Sequence, residues 1–163
     1  MRSIEIPDFI YKALEREAKL TGKSIVDILV ERILDALSKD ERMEVYRRLH
    51  EDYLKKAEEC EEKGDFVQAG EKYWGAVTAL LNIIGEVKNL PHYRHVHYAE
   101  IIERVFEETG DEELLRLFAS VERLHASYYH GFLSRGSFEV HRRDVLRLIG
   151  KLKDYVTSML ASR

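Results

Sequence analysis

YLKKAEECEEKGDFVQAGEKYWGAVTALLNII, running from Tyr53 to Ile84, decides the fold. It encodes two helices folded back on each other, with Gly64-Asp65 as the hinge. Glycine reaches the left-handed conformation that ends a helix at little cost, and aspartate accepts the first free amides of the next one. Before the hinge, Val45, Leu49, Tyr53, Ala57 and Cys60 recur every three to four residues, giving one apolar stripe with charged flanks. After it, Phe66, Ala69, Tyr73, Val77, Leu80 and Ile84 form a stripe that Trp74, Thr78 and Leu81 widen to more than half the circumference. A helix apolar on that much of its surface is buried between neighbours. The hairpin therefore predicts the central element of an all-α antiparallel bundle.

The rest of the chain falls on either side of it. Residues 1–40 predict a short strand at Ser3–Ile6, a helix opened by Pro7, a turn at Gly22-Lys23-Ser24 and a second helix to Leu37. Residues 41–163 predict the bundle, about five helices in all. After the hairpin come helices over His97–Glu108, from Asp111 to about Phe132, and from Ser137 to about Leu160, with Arg135-Gly136 as the last break. Asp111 stands as a cap, with Glu112 and Glu113 near the positive end of its helix.

YLxxAEE, a KGDF turn and QAxEKYWGA together resemble the HEPN superfamily of helical bundles, and resemble more closely the archaeal PaREP family. Leu124–Tyr129, LHASYY, is similar to a PaREP element, L-H-x-x-[FY]-Y. The resemblance implies a HEPN-like bundle acting as a homodimeric binding or regulatory module. Its setting would be nucleic-acid defence or toxin–antitoxin biology, and its partner RNA, a nucleotide or a protein. Residues 1–38 resemble a ribbon-helix-helix unit through Ile4, Ile6, Pro7, Ile10, Leu14, Ala18, Gly22 and Ser24, which implies a dimer whose ribbon reads DNA. Against DNA stand Ser3 and Glu5 on the outer face of the strand and seven basic against eight acidic residues in 1–40. Dimerisation or packing is the better-supported role for this unit.

Composition sets the outer limits. The chain has 163 residues, 45% of them hydrophobic, enough for one core with a small attached module. No stretch approaches the roughly 20 apolar residues of a membrane span. MRSIEIPDFI lacks the apolar region of a secretory signal, so the cytoplasm is the expected location. Charged residues make up 34% of the chain, and only Gln68, Asn82 and Asn89 are amides, the bias of hyperthermophile proteins. A net charge of −4 argues against whole-surface attraction to nucleic acid. The single cysteine, Cys60, lies on an apolar stripe as a free thiol.

Catalytic HEPN proteins carry Arg-x(4–6)-His on a late helix, and here the resemblance points to Arg123 and His130 as the catalytic pair of a metal-independent RNA endonuclease. Histidine can move the 2′-hydroxyl proton near neutral pH, and arginine can stabilise the charged phosphorane. With 15 arginines and 7 histidines, chance supplies about two such spacings, and the chain has two, the other being Arg135–His141. PaREP members often lack both residues, so the motif alone decides nothing. On the same helix Leu114, Phe118, Val121, His125 and Tyr128 predict the core face, with Arg123 and His130 nearly opposite.

Further ligand or phosphate contacts are expected at His125, Tyr129, Arg143 and Arg147. For His125 the commoner case is a core histidine bonded to a carbonyl or a tyrosine hydroxyl. Arg143, Arg147 and Lys151 form a basic ridge, either a phosphate rim or a solvated face paired with acids such as Asp144 and Asp154. His92, His95 and His97 match no zinc spacing and read as a solvated loop, so no metal or cofactor is expected.

Overall fold

Among the described residues the chain is seven helices and no strand: α1 Asp8–Thr21, α2 Ile25–Leu34, α3 Lys39–Glu62, α4 Phe66–Lys88, α5 His95–Thr109, α6 Glu113–His130 and α7 Arg135–Ala161. The computed structural model describes residues 5–22 and 24–162. It divides into two compact units, Met1–Arg42 and Met43–Arg163.

The N-terminal unit corrects the predicted strand-helix-helix arrangement. Glu5 and Ile6 are irregular, while Ser3 and Ile4 lie outside the described residues. Pro7 precedes α1, and its carbonyl accepts the amides of Ile10 and Tyr11. Gly22, at φ 69°, closes α1 in the left-handed region. Helices α1 and α2 pack on each other, with Ile28 and Leu34 buried and Arg32 paired to Glu17 at 2.9 Å. No residue of α1 is buried.

In the larger unit α3 and α4 form the hairpin. Gly64 takes φ 74°, and Asp65 caps α4 by accepting the Gln68 amide at 3.1 Å. Helix α4 is the centre, with 14 of its 23 residues buried. The buried set includes Gly70, Ala76, Ala79 and Gly85, whose small size lets neighbours approach closely. Helices α5, α6 and α7 pack against it, and α3 reaches it through His50 and Tyr53. The Tyr53 ring rests on Gly75, where an added Cβ would come within 3.0 Å of the ring.

Several helix ends and two faces differ from the sequence reading, the α6–α7 boundary most of all. Arg135-Gly136 does not break the chain, because Gly131 ends α6 at φ 59° and the Ser134 hydroxyl caps α7 by accepting the Ser137 amide. The buried face of α3 is set by Tyr46, His50 and Ala57 rather than by Val45 and Leu49, which are half-buried like Cys60. His50 is 2% exposed and its Nδ1–H donates to the Ala76 carbonyl at 2.8 Å, a bond that fastens α3 to α4. Burial lowers its pKa below the ordinary histidine value, against a smaller upward pull from that bond, so the ring stays neutral inside the fold. On α6 the buried face is Leu114, Leu117, Phe118, Ser120, Val121, Leu124 and Ser127, with His125 at its edge and Tyr128 exposed.

Candidate functional site

The indole of Trp74 organises the most elaborate side-chain arrangement in the bundle. Trp74 projects from α4, and four rings from α5 and α6 surround it. His125 stacks on it at 4.3 Å and 16°, His95 lies at 4.8 Å, Tyr98 meets it edge-on at 5.8 Å, and Phe118 lies at 6.3 Å. Tyr129, one turn beyond His125, contacts that ring edge-on at 5.2 Å.

Each histidine is held by a carboxylate. His125 Nδ1–H donates to Glu71 Oε2 at 2.8 Å, and His95 Nε2–H donates to Glu122 at 2.7 Å and 2.9 Å. A carboxylate can only accept from these rings, so in each ring it fixes which nitrogen carries the proton. That leaves Nε2 of His125 and Nδ1 of His95 for a reacting group. The two rings meet edge-on with centroids 5.5 Å apart. Their exposure differs: the His125 side chain is 14% exposed and that of His95 52%. Two carboxylate-oriented imidazoles this close, one shielded and one open, are equipped for general acid–base chemistry.

The expected residues fall into separate places. His125 and Tyr129 are in this cluster. Arg123 and His130 are both exposed, Arg123 with its guanidinium 4.6 Å above the Phe132 ring and His130 as the last residue of α6. Arg147 pairs with Glu113 at 2.9 Å, and Lys151 bonds Asp111 at 2.6 Å and Glu113 at 3.0 Å. The ridge is thus partly neutralised from the start of α6, while Asp144 instead accepts the Ser120 hydroxyl at 2.7 Å. Arg143 is exposed on the same helix.

His92, just before α5, and His95 and His97 in its first turn have three different tasks. His92, read as part of a solvated loop, is 4% exposed; its Nδ1–H donates to the Leu90 carbonyl, and its Nε2 lies 3.2 Å from Glu86. His97 Nδ1 accepts the Tyr93 and Arg94 amides and so caps α5. Only His95 reaches the cluster. No group of three or more His, Cys, Asp or Glu among the described residues is placed to hold a metal ion.

A serine, a histidine and an aspartate also meet at Ser120, His141 and Asp144. Ser120 donates to Asp144 and accepts from His141 Nδ1–H at 3.0 Å. A serine nucleophile needs the reverse, a histidine that takes the serine proton and an acid that orients the histidine. Ser120 is moreover buried, and the trio braces α6 on α7.

Sequence reasoning missed His95, Glu71, Glu122 and the organising part of Trp74. The partners lie 54 and 27 residues apart, and only the packing of α4, α5 and α6 unites them. No helix among the described residues is long and apolar enough to cross a membrane. No curated protein and no solved structure matches the chain. The sequence model of the archaeal PaREP1/PaREP8 family matches residues 45–149, from the first turns of α3 into the middle of α7. Every residue of the Trp74 cluster lies within that span, and the chain belongs to the archaeal PaREP1/PaREP8 family.

Proposed function

We propose that this protein is a homodimeric binding module of HEPN-like type, paired through its N-terminal helices. The carrying observation is the apolar surface of α1 and α2. Phe9 is 74% exposed and Leu20 81%, and eleven residues apart they share one face of α1. Val26 and Ile33, seven apart, do the same on α2 at 57% and 61%. A unit of this size rarely has enough core to stand alone, and clustered apolar side chains of this kind mark an interaction surface. A second copy offers a matching face by symmetry.

Light scattering at tens of micromolar is expected to give twice the 19.1 kDa chain mass. Phe9→Ser combined with Leu20→Ser should give the single-chain mass with helicity retained. Wild-type protein that runs at the single-chain mass would remove the proposal.

A second reading, metal-independent RNA cleavage, is favoured by the His95–His125 pair. One imidazole would take the 2′-hydroxyl proton as O2′ bonds to phosphorus. The P–O5′ bond then breaks, and the other ring, entering as imidazolium, gives its proton to O5′. The products are a 2′,3′-cyclic phosphate and a 5′-hydroxyl, with protons conserved between the two rings. Arg123 and His130 form the rival pair, and the exposed Tyr129 and Phe132 offer ring faces on which unpaired bases can stack.

Incubation with mixed RNA in excess chelator tests this reading. Cleavage is expected, and His95→Asn or His125→Asn should slow it by about 100-fold or more. Cleavage lost instead in Arg123→Ala with His130→Ala assigns the chemistry to that pair. Intact RNA with wild-type protein rejects cleavage and leaves the binding module standing.

A further inference from the structure

Away from the Trp74 cluster, an open groove of about 540 Å³ lies where the end of α3 and the start of α4 face the first turns of α7. Its floor is aromatic. Phe66 packs on the buried Phe138 ring with centroids 5.0 Å apart, leaving the Phe66 ring half-buried. The inner wall is electrically settled. Arg142 Nε donates to Glu61 at 2.6 Å, and the Tyr73 hydroxyl donates to the same carboxylate oxygen. Burial, together with that carboxylate, pushes the Tyr73 phenol above its ordinary pKa, so it remains a donor.

The outer rim is different. Arg135 holds its guanidinium 5.6 Å from the Phe66 ring centroid, tied by Nε to Glu139 at 3.0 Å, and its side chain is 75% exposed. Glu62, also on the rim, carries no ion pair among the described residues. An exposed pair one helical turn apart is a weak tether. The chain's own arginine therefore occupies a place suited to a planar cation: a ring face below and the Glu139 carboxylate at the edge, with Glu62 on the same rim.

We propose that this groove is a binding site for a guanidinium group, carried by an arginine side chain of a peptide or by a small guanidino compound, with Arg135 as the internal occupant that the ligand displaces. The displaced Arg135 keeps Glu139 or turns to solvent. The incoming cation gains Phe66 and Glu62. The volume suits a ligand of amino-acid to tripeptide size. This site is independent of the homodimer and of any RNA chemistry, since neither the N-terminal helices nor the Trp74 cluster contributes to it.

The test is a titration of the full chain followed through the amide signals of Gly64, Phe66 and Glu139. The probes are N-methylguanidinium, the peptide Gly-Arg-Gly and the same peptide with citrulline in place of arginine. Both cations should bind, and the neutral citrulline peptide should not. Arg135→Ala removes the internal competitor and should tighten cation binding about two- to fivefold, the range of an exposed cation–π contact. Glu62→Gln, at an exposed position that carries no core packing, should weaken it. Tighter binding of the peptide than of the small cation identifies a peptide ligand, and equal binding a small guanidino compound. Arg135→Ala that binds no more tightly than wild type, or a citrulline peptide that binds as well as the cations, overturns the proposal.

Discussion

Replacing Trp74 by alanine is expected to lower stability by about 3–5 kcal/mol, the usual cost of emptying a large aromatic site. The indole is 9% exposed and is the meeting point of α4, α5 and α6. Its removal deletes the surface on which His125 stacks and leaves His95, Tyr98 and Phe118 facing a void. Collapse into that void is restricted, because His125 and His95 are each tethered to a carboxylate. Trp74→Phe keeps a ring in place and should recover part of the loss. Urea unfolding followed by circular dichroism measures both, since Trp74 is the only tryptophan and its fluorescence vanishes with it. A loss below about 1 kcal/mol for the alanine variant would show that the cluster is not part of the core.

Gly85→Ala should destabilise the bundle even though alanine is the better helix former. Propensity alone favours the change by about 1 kcal/mol. Against it, a Cβ at position 85 would stand 2.7 Å from His92 Nδ1 and 2.8 Å from its Cβ and Cγ. Contact with the Cβ means that swinging the ring cannot relieve the clash. His92 is buried, fixed to the Leu90 carbonyl, beside Glu86 and edge-on to Tyr46 at 5.9 Å. Displacing it disturbs a buried histidine–carboxylate contact as well as the packing, and overpacking alone costs about 1–3 kcal/mol. The net is a loss of about 1–2 kcal/mol, the upper part of that range less the propensity gain. Thermal unfolding of Gly85→Ala, His92→Ala and the double variant checks the cause. The double variant should lose less than the sum of the singles, because the ring part of the clash goes with the imidazole while the contact with the Cβ remains. Simple additivity would place the damage elsewhere.

The hairpin was legible because its signals are local. Gly64, Asp65 and the two-sided apolar pattern of α4 each act within a turn or two, and they yield the hinge, the cap and the central helix. The face of α3 was misread for an equally physical reason. Hydropathy treats His50 and Tyr46 as surface residues, yet the Ala76 carbonyl provides His50 with a buried acceptor. The α6–α7 boundary was displaced because Ser134 outcompetes Gly136: a cap that accepts an amide outweighs a glycine that an exposed first turn tolerates. The predicted strand rested on two alternating isoleucines, a pattern too short to form a sheet without a partner strand. For the site, His125 and Tyr129 could be named from sequence. Glu71, His95 and Glu122 could not, because nothing in a linear pattern says which carboxylate a folded histidine will meet.

Helix α4 is buried over most of its length by its neighbours, and this sets how the molecule opens. Its amides near Ala76–Ile84 have no path to solvent through the loosening of a single neighbour, since α3, α5, α6 and α7 would each still cover part of it. Deuterium should therefore enter these positions last and at one shared rate, the rate at which the whole larger unit comes apart. A hydrogen-exchange trace from this one helix would read the global stability of the bundle without denaturant, and a ligand that tightens any of the surrounding helices would be recorded there, in a segment that it never touches.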